Sequence, residues 1–263
     1  MDLNLTGKTA IITGGNRGLG AASAHMLASE GARLFLTARD PAKLELTANE
    51  IFNQHGANVS TLAVDLTEPD AGERVAAAAL AEFDRVDILI NCAGASQGGV
   101  FLEIPDQVWL DSLDLKFMAT VRMLRAVIPI MRENSYGRIV SVIGNTGKQP
   151  NSKMLPGAAA NAALLAVTKG LADDVAGEGI VINAVNPGPT RTERWNTLMT
   201  NLAASAGRTV DDVEGDFMSK IPMARLGEPE EIARIITFLA SDAAANMTGT
   251  SLTADGGWTQ ALA

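Results

Sequence analysis

The chain has 263 residues, 47% of them hydrophobic, with a formal net charge of −9 and one cysteine, Cys92. That length and apolar content suffice for a sizeable core, and the acidic balance argues against nonspecific binding to nucleic acid or an anionic membrane, though not against a local basic pocket. A single cysteine excludes an intrachain disulfide and a cysteine-rich metal site and fits a reducing, cytoplasmic setting, the start "MDLNLTGKTA" lacks a signal-peptide layout, and no apolar run approaches the roughly 20 residues of a membrane span.

From the N-terminus, a β-branched run at 9–13 is predicted as a strand, followed by a glycine-rich turn and a helix over 19–30. A strand over 33–37 and a helix over 42–55 come next, then a strand over 58–64 and a helix over 68–83. The near-continuously apolar "VDILI" gives a strand at 87–90, and a long helix spans 106–132. "RIVSVI" gives a strand over 138–142, followed by a helix over 157–176. Strands at 180–185 and 251–253 flank a last helix over 228–240. Strands alternating with helices imply βαβ units and a parallel sheet covered on both faces. The expected fold class is α/β: a single doubly wound, Rossmann-type domain over 1–263 with about seven parallel strands. The stretch 190–221 breaks the rhythm and is predicted as a substrate lid, the alternative being a helical pair that serves packing or oligomer contacts. Trp195 and Met199 fit either an apolar pocket or the packing of that segment on itself.

The glycines of "TGGNRGLG" stand between a strand and a helix. Gly14 permits a tight turn, Gly18 lets the backbone approach a pyrophosphate, and Gly20 lets helix and strand pack closely. The helix N-terminus then offers free N–H groups and the positive end of its dipole to phosphates. At the tip of the second strand, "LFLTARD", a carboxylate would bind the ribose of NAD, whereas arginine suits the 2′-phosphate of NADP. The tip holds Ala38 and Arg39, with Arg17 available from the glycine loop, so NADP(H) is favoured over NAD(H). Asp40 is one residue away, and a shift of one position would reverse the preference.

These motifs resemble those of the short-chain dehydrogenase/reductase family over nearly the full length. "TGGNRGLG" is similar to its cofactor motif, and the resemblance assigns Gly14, Asn16, Arg17, Gly18, Leu19 and Gly20 to the dinucleotide. "VDLT" places Asp65 and Leu66 at the adenine, and "NCAG" resembles the Asn-Asn-Ala-Gly motif, keeping Asn91, Ala93 and Gly94 with Cys92 substituted. "NPGPTRT" puts Pro187, Gly188, Thr190 and Thr192 near the nicotinamide and its phosphates. "RLGEPEEIARIITFLAS" and "TGTSLTADGG" match the C-terminal signature. The resemblance also implies a homo-oligomer, a tetramer or dimer, acting on a small-molecule substrate.

The family's catalytic set is Asn, Ser and Tyr-x-x-x-Lys. Counting back from Pro187 by the family's usual separation reaches Asn161 at the Lys position, Gly157 at the Tyr position and Gly144 at the Ser position. "DLK" in the long helix puts Asp114 at the Asn position, near Asn161. The chain's one tyrosine, Tyr136, precedes the fifth strand, at the wrong end of a parallel sheet, and His25 and His55 belong to the first two helices. Asp114 and Asn161 are therefore the expected catalytic residues, Asn161 also as a ribose ligand; Lys116, Lys148 and Lys153 are the remaining charged candidates. Cys92 is expected to be structural. The function these features imply is NADP(H)-dependent oxidoreduction of a small carbonyl or alcohol, with non-standard proton transfer. A non-catalytic NADP(H)-binding pseudoenzyme and non-redox isomerase or lyase chemistry in the same pocket are the alternatives.

Overall fold

The computed structural model describes residues 2–95 and 97–260, so both ends of the expected 1–263 unit lie outside the described residues. Its seven described strands form one parallel sheet in the order β3-β2-β1-β4-β5-β6-β7: β1 Thr9–Thr13, β2 Arg33–Ala38, β3 Val59–Ala63, β4 Ile88–Asn91, β5 Gly137–Val142, β6 Ile180–Pro187 and β7 Ser251–Ala254. The expected doubly wound α/β fold is thus present. Strand order reverses between β1 and β4, which pair from Ala10↔Ile88 to Thr13↔Asn91. In such a sheet the crevice at the carboxyl ends of the strands flanking that reversal is the natural ligand site.

Alternation along each strand builds two cores. Ile11, Leu89 and Ile139 point to one face, among the side chains of helices α3 (Ala71–Phe83), α5 (Ala119–Glu133) and α6 (Leu155–Val175). Ile12, Ile90 and Val140 point to the other, among α1 (Gly18–Ser29), α2 (Pro41–His55) and α9 (Pro229–Leu239). Successive strand residues face opposite sides of a sheet, which is why these runs read as continuously apolar. Each such fully buried aliphatic side chain contributes on the order of 1.5–3 kcal/mol.

Two departures from the sequence expectation matter for function. The helix expected over 106–132 is interrupted: α4 (Asp106–Ser112) passes through a π-helical turn at Leu113–Met118 before α5 begins. A π-turn carries more residues per turn than an α-helix, so it rotates the side chains that follow it. The segment 190–221 contains two helices, α7 (Glu193–Ala206) and α8 (Val210–Met218). Trp195 and Met199 are buried there with Ala203, Val213, Ile221 and Leu226, and the Trp195 indole N–H donates to Glu214 at 2.8 Å. They pack this segment on itself, the second of the two readings the sequence left open.

Candidate active site

The glycine turn meets its neighbours as its spacing predicts. Gly14 has φ +68°, and a Cβ there would stand 3.1 Å from the backbone of Ala93. A Cβ on Gly20 would stand 2.1 Å from the carbonyl oxygen of Gly14, so only glycine lets α1 start this close to the turn. The Thr13 hydroxyl accepts from the N–H groups of both Cys92 and Ala93 at 3.0 Å, tying the β1 turn to the loop after β4. The start of α1 has no side-chain cap and no acidic residue in its first turn. Its N–H groups and dipole are left for an external anion, which fits a dinucleotide pyrophosphate. Asn16 and Leu19 lie in this turn and the first residues of the helix, as expected.

At the tip of β2, Asp40 is the N-cap of α2. Its carboxylate accepts from the Lys43 N–H at 3.1 Å and caps α2, while Arg39 is exposed and only loosely paired with Asp65 at 4.0 Å. Arg17 is similarly loose against Glu193 at 3.8 Å. Two weakly held guanidinium groups therefore flank the glycine turn. Asp65 folds back on Thr67, whose backbone N–H above all holds the carboxyl below its usual range, with the Thr67 hydroxyl adding to the effect. Leu66 is buried beside it, and its carbonyl accepts from Arg122 at 3.2 Å.

On the far side of the crevice, Pro187 ends β6, and a Cβ on Gly188 would collide with Asp255. Thr190 donates to the Gly188 carbonyl at 3.0 Å, and Thr192 caps α7 within van der Waals reach of Gly18. Arg194, in the first turn of α7, reaches across to the carbonyl of Gly94 at 2.9 Å. The segment 190–221 thus touches both the glycine turn and the loop after β4. Several buried polar atoms in β4, α6 and β6 have no protein partner: Oδ1 of Asn91, Oδ1 of Asn161 and both amide atoms of Asn186. Buried polar groups are ordinarily satisfied, so these atoms suit a polar ligand with several donors and acceptors.

The residues at the four expected catalytic positions are not brought together as the sequence suggested. Gly144 follows β5 with φ +121°, and a Cβ there would approach the Asn161 amide nitrogen to 3.1 Å. A serine would be strained and crowded at that point. Gly157 is buried in the first turn of α6. Asn161, one turn later and 3% exposed, donates to the Thr146 hydroxyl at 2.8 Å. Asp114 does not meet Asn161: its carboxylate pairs with Arg122 at 2.7 Å, near the Leu66 carbonyl. Asp114 and Lys116 both lie within the π-turn, where Asp114 pairs with Arg122 and Lys116 reaches the crevice.

Lys116 is the charged residue the sequence reading underused. Its Nζ donates to the Ile143 carbonyl at 2.7 Å, immediately after β5. Its stem lies against Gly94, where a Cβ would meet Lys116 Cγ at 3.2 Å. Burial, with the Arg194 guanidinium adding to it, pushes its ammonium down to about 7. Burial pushes the Cys92 thiol up to about 12, which keeps it protonated and unreactive. Lys148 is held away by the Ser251 carbonyl at 3.0 Å, and Lys153 lies exposed in the following loop. Tyr136 donates to Asp242 at 3.0 Å beside the first residue of β5, at the opposite end of the sheet. His25 and His55 face each other at 3.4 Å on α1 and α2, away from the crevice. Among the described residues no group of His, Cys, Asp and Glu could hold a metal ion, and no helix is long and apolar enough to cross a membrane.

A family model described as enoyl-(acyl carrier protein) reductase matches residues 14–259. The chain is 35% identical to a 3-oxoacyl-[acyl-carrier-protein] reductase of Escherichia coli over 255 residues, covering 97% of this chain and 98% of that one. Among solved structures, L-sorbose reductase from Gluconobacter frateurii, complexed with NADPH and L-sorbose, superposes with a TM-score of 0.95 at 31% identity over 100% of both chains. A variant of actinorhodin polyketide ketoreductase with NADPH gives 0.93 at 28% identity, over 97% of this chain and 98% of that one.

Proposed function

The chain belongs to the short-chain dehydrogenase/reductase family, and we propose that it is an NADP(H)-dependent oxidoreductase acting on a small carbonyl or alcohol with a proton path of its own. The observation that carries this reading is the glycine cradle on an uncapped helix N-terminus, with Arg39 exposed and only loosely paired beside it and Asp40 serving as a helix cap. Relatives named for carbonyl reduction, and solved neighbours described with NADPH, support the same class.

In this reading Gly14, Asn16, Arg17, Gly18, Leu19 and Gly20 receive the pyrophosphate, and Arg39 with Arg17 receives the 2′-phosphate. Asp65 and Leu66 would hold the adenine, and Asn91, Ala93 and Gly94 would hold the nicotinamide riboside. Asn161 offers its unpartnered Oδ1 to a ribose hydroxyl, and Pro187, Gly188, Thr190 and Thr192 close the nicotinamide side. When bound, the cofactor supplies or accepts a hydride. The chain's residues hold it, keep the substrate carbonyl against it and exclude water. The segment 190–221 serves as the lid, tied by Arg194 to the loop after β4 and by Glu193 to Arg17 of the glycine turn. With glycine at 144 and 157, no hydroxyl from those positions assists the substrate oxygen.

The test is NADPH and NADH binding by fluorescence, followed by nicotinamide absorbance with a panel of ketones, aldehydes and quinones. Binding of NADPH with turnover of at least one class is expected. Binding without oxidation across the whole panel would overturn the enzymatic reading.

A further inference from the structure

We propose that Lys116 is the proton donor to the substrate oxygen in this site, replacing a tyrosine hydroxyl with an ammonium presented from the π-turn. The proposal rests on the oxidoreductase reading above and assigns its missing acid. Three geometric facts point to it. The Lys116 stem runs over Gly94, in the loop after β4, and its Nζ ends at the carbonyl of Ile143, in the loop after β5. It therefore bridges the carboxyl ends of two neighbouring strands at the crevice, where the carbonyl to be reduced must lie. Only one of its three N–H donors is used, which leaves two for a ligand oxygen.

The surroundings suit an acid that works near neutral pH. The charged and titratable groups facing Lys116 are the Arg194 guanidinium from α7 and the Cys92 thiol from the loop after β4. Asp114, on the same turn, is committed to Arg122, and among the described residues no carboxylate pairs with Lys116. Partial burial without a counter-ion is the condition under which a lysine titrates near 7 rather than at its ordinary value. A donor of that kind is matched to the operating pH.

The residue types at the site also differ from those the resemblance implies. The family resemblance calls for an asparagine on the long helix and a lysine on the helix that here is α6. This chain has Lys116 on the former and Asn161 on the latter, and both border the turn after β5. Gly144 leaves the Asn161 amide uncrowded, since a Cβ there would stand 3.1 Å from its nitrogen.

The step balances. With the hydride drawn from a bound reduced nicotinamide, which would be oxidised in the same step, the carbonyl oxygen would take a proton from Nζ, giving the alcohol and a neutral Lys116 amine. Water then reprotonates the amine. In the oxidative direction the neutral amine would take the alcohol proton while the hydride passes to an oxidised nicotinamide. Arg194 stabilises the neutral amine by repelling a second positive charge.

The experiment has two parts. In the first, the Lys116 Cε signal of the ¹³C-lysine-labelled full-length protein, assigned by Lys116→Met, is titrated from pH 5 to 11. A midpoint near 7 is expected; a midpoint near 10 overturns the proposal. In the second, single-turnover oxidation of NADPH is followed with ethyl acetoacetate and with phenanthrenequinone as probes. Lys116→Met should slow it roughly 10²–10⁴-fold while NADPH affinity changes less than about threefold, and Lys116→Arg, which keeps the charge and the bond to Ile143 but cannot release a proton, should not restore it. A purely structural lysine would be rescued by arginine. Wild-type turnover that Lys116→Met leaves intact overturns the lysine assignment and spares the oxidoreductase reading. If wild-type protein binds NADPH and oxidises it with neither these probes nor the wider panel, the oxidoreductase reading fails and this assignment falls with it. A probe trapped on Lys116 by borohydride would show a nucleophile rather than an acid, and would also overturn it.

Discussion

The Asp40 carboxylate accepts from the backbone N–H of Lys43 at 3.1 Å, so one oxygen of the acidic residue at the tip of β2 is held at the start of helix α2. Arg39, its neighbour, is left with a 4.0 Å contact to Asp65 and most of its side chain in solvent. The two residues should therefore respond differently to truncation. Arg39→Ala should weaken NADPH binding roughly 10–100-fold, the worth of one charge-assisted contact, and leave NADH binding within a few-fold. Asp40→Ala should cost about 1 kcal/mol of stability through the lost cap and leave the NADPH/NADH ratio alone. Fluorescence titrations with both cofactors and a thermal melt check this. A change of preference in Asp40→Ala would mean that the carboxylate is shared with the ribose.

Gly20→Ala tests the cradle itself. The new Cβ would need the Gly14 carbonyl oxygen to move from 2.1 Å, and that oxygen is backbone, held in a turn at φ +68°. Overpacking of this kind costs about 1–3 kcal/mol and shifts the turn away from the α1 N-terminus. A lower melting temperature together with at least a tenfold loss of NADPH affinity is expected. Unchanged affinity in a folded variant would place the pyrophosphate elsewhere.

The sequence made the glycine turn, the sheet and the two cores legible for a common reason: each depends on spacing within one short segment. Ile11 and Ile12 show their opposite faces by adjacency, and Gly14, Gly18 and Gly20 show a turn by their separation from β1. The acid was less legible, because it depends on how a helix is wound. The match of "DLK" to the family motif puts Asp114 at the crevice; in the π-turn Asp114 instead pairs with Arg122 and Lys116 reaches Ile143. The role of Asp40 was equally hidden, since a carboxylate at a strand tip can be a ligand or a cap. Trp195 could be placed only once α8 and Trp258 were seen to cover the same side of α7, across more than sixty residues of chain.

Tyr136→Phe separates the chain's one tyrosine from the chemistry. Its hydroxyl donates to Asp242, and its ring lies under Lys8 and Arg138, all at the amino end of β5. Burial raises its pKa above the ordinary value, so the hydroxyl stays protonated through the neutral range. The variant should lose about 1 kcal/mol of stability with the hydrogen bond and keep the wild-type pH dependence of NADPH oxidation. A shifted or abolished pH dependence would assign the proton to Tyr136 by a route through the sheet.

Lys116→Met should stabilise the protein, and by an amount that depends on pH in a determined direction. Lys116 is lowered from 10.5 in the unfolded chain to about 7 in the folded one. Between those values the unfolded state binds the extra proton, so wild-type stability rises with pH across that window. Below pH 7 both states are charged and the cost of burying the ammonium is present in full. Methionine removes that cost and keeps the stem's packing against Gly94. Because Lys116 retains some exposure and one hydrogen bond, the gain at pH 6 is expected to be about 1–3 kcal/mol rather than the full linkage value. The variant should thus melt several degrees higher than wild type at pH 6, with the gap narrowing steadily towards pH 10. A gap that is absent at pH 6, or that widens with pH, would show that the Ile143 bond outweighs burial and that the lysine is held there as a structural tie.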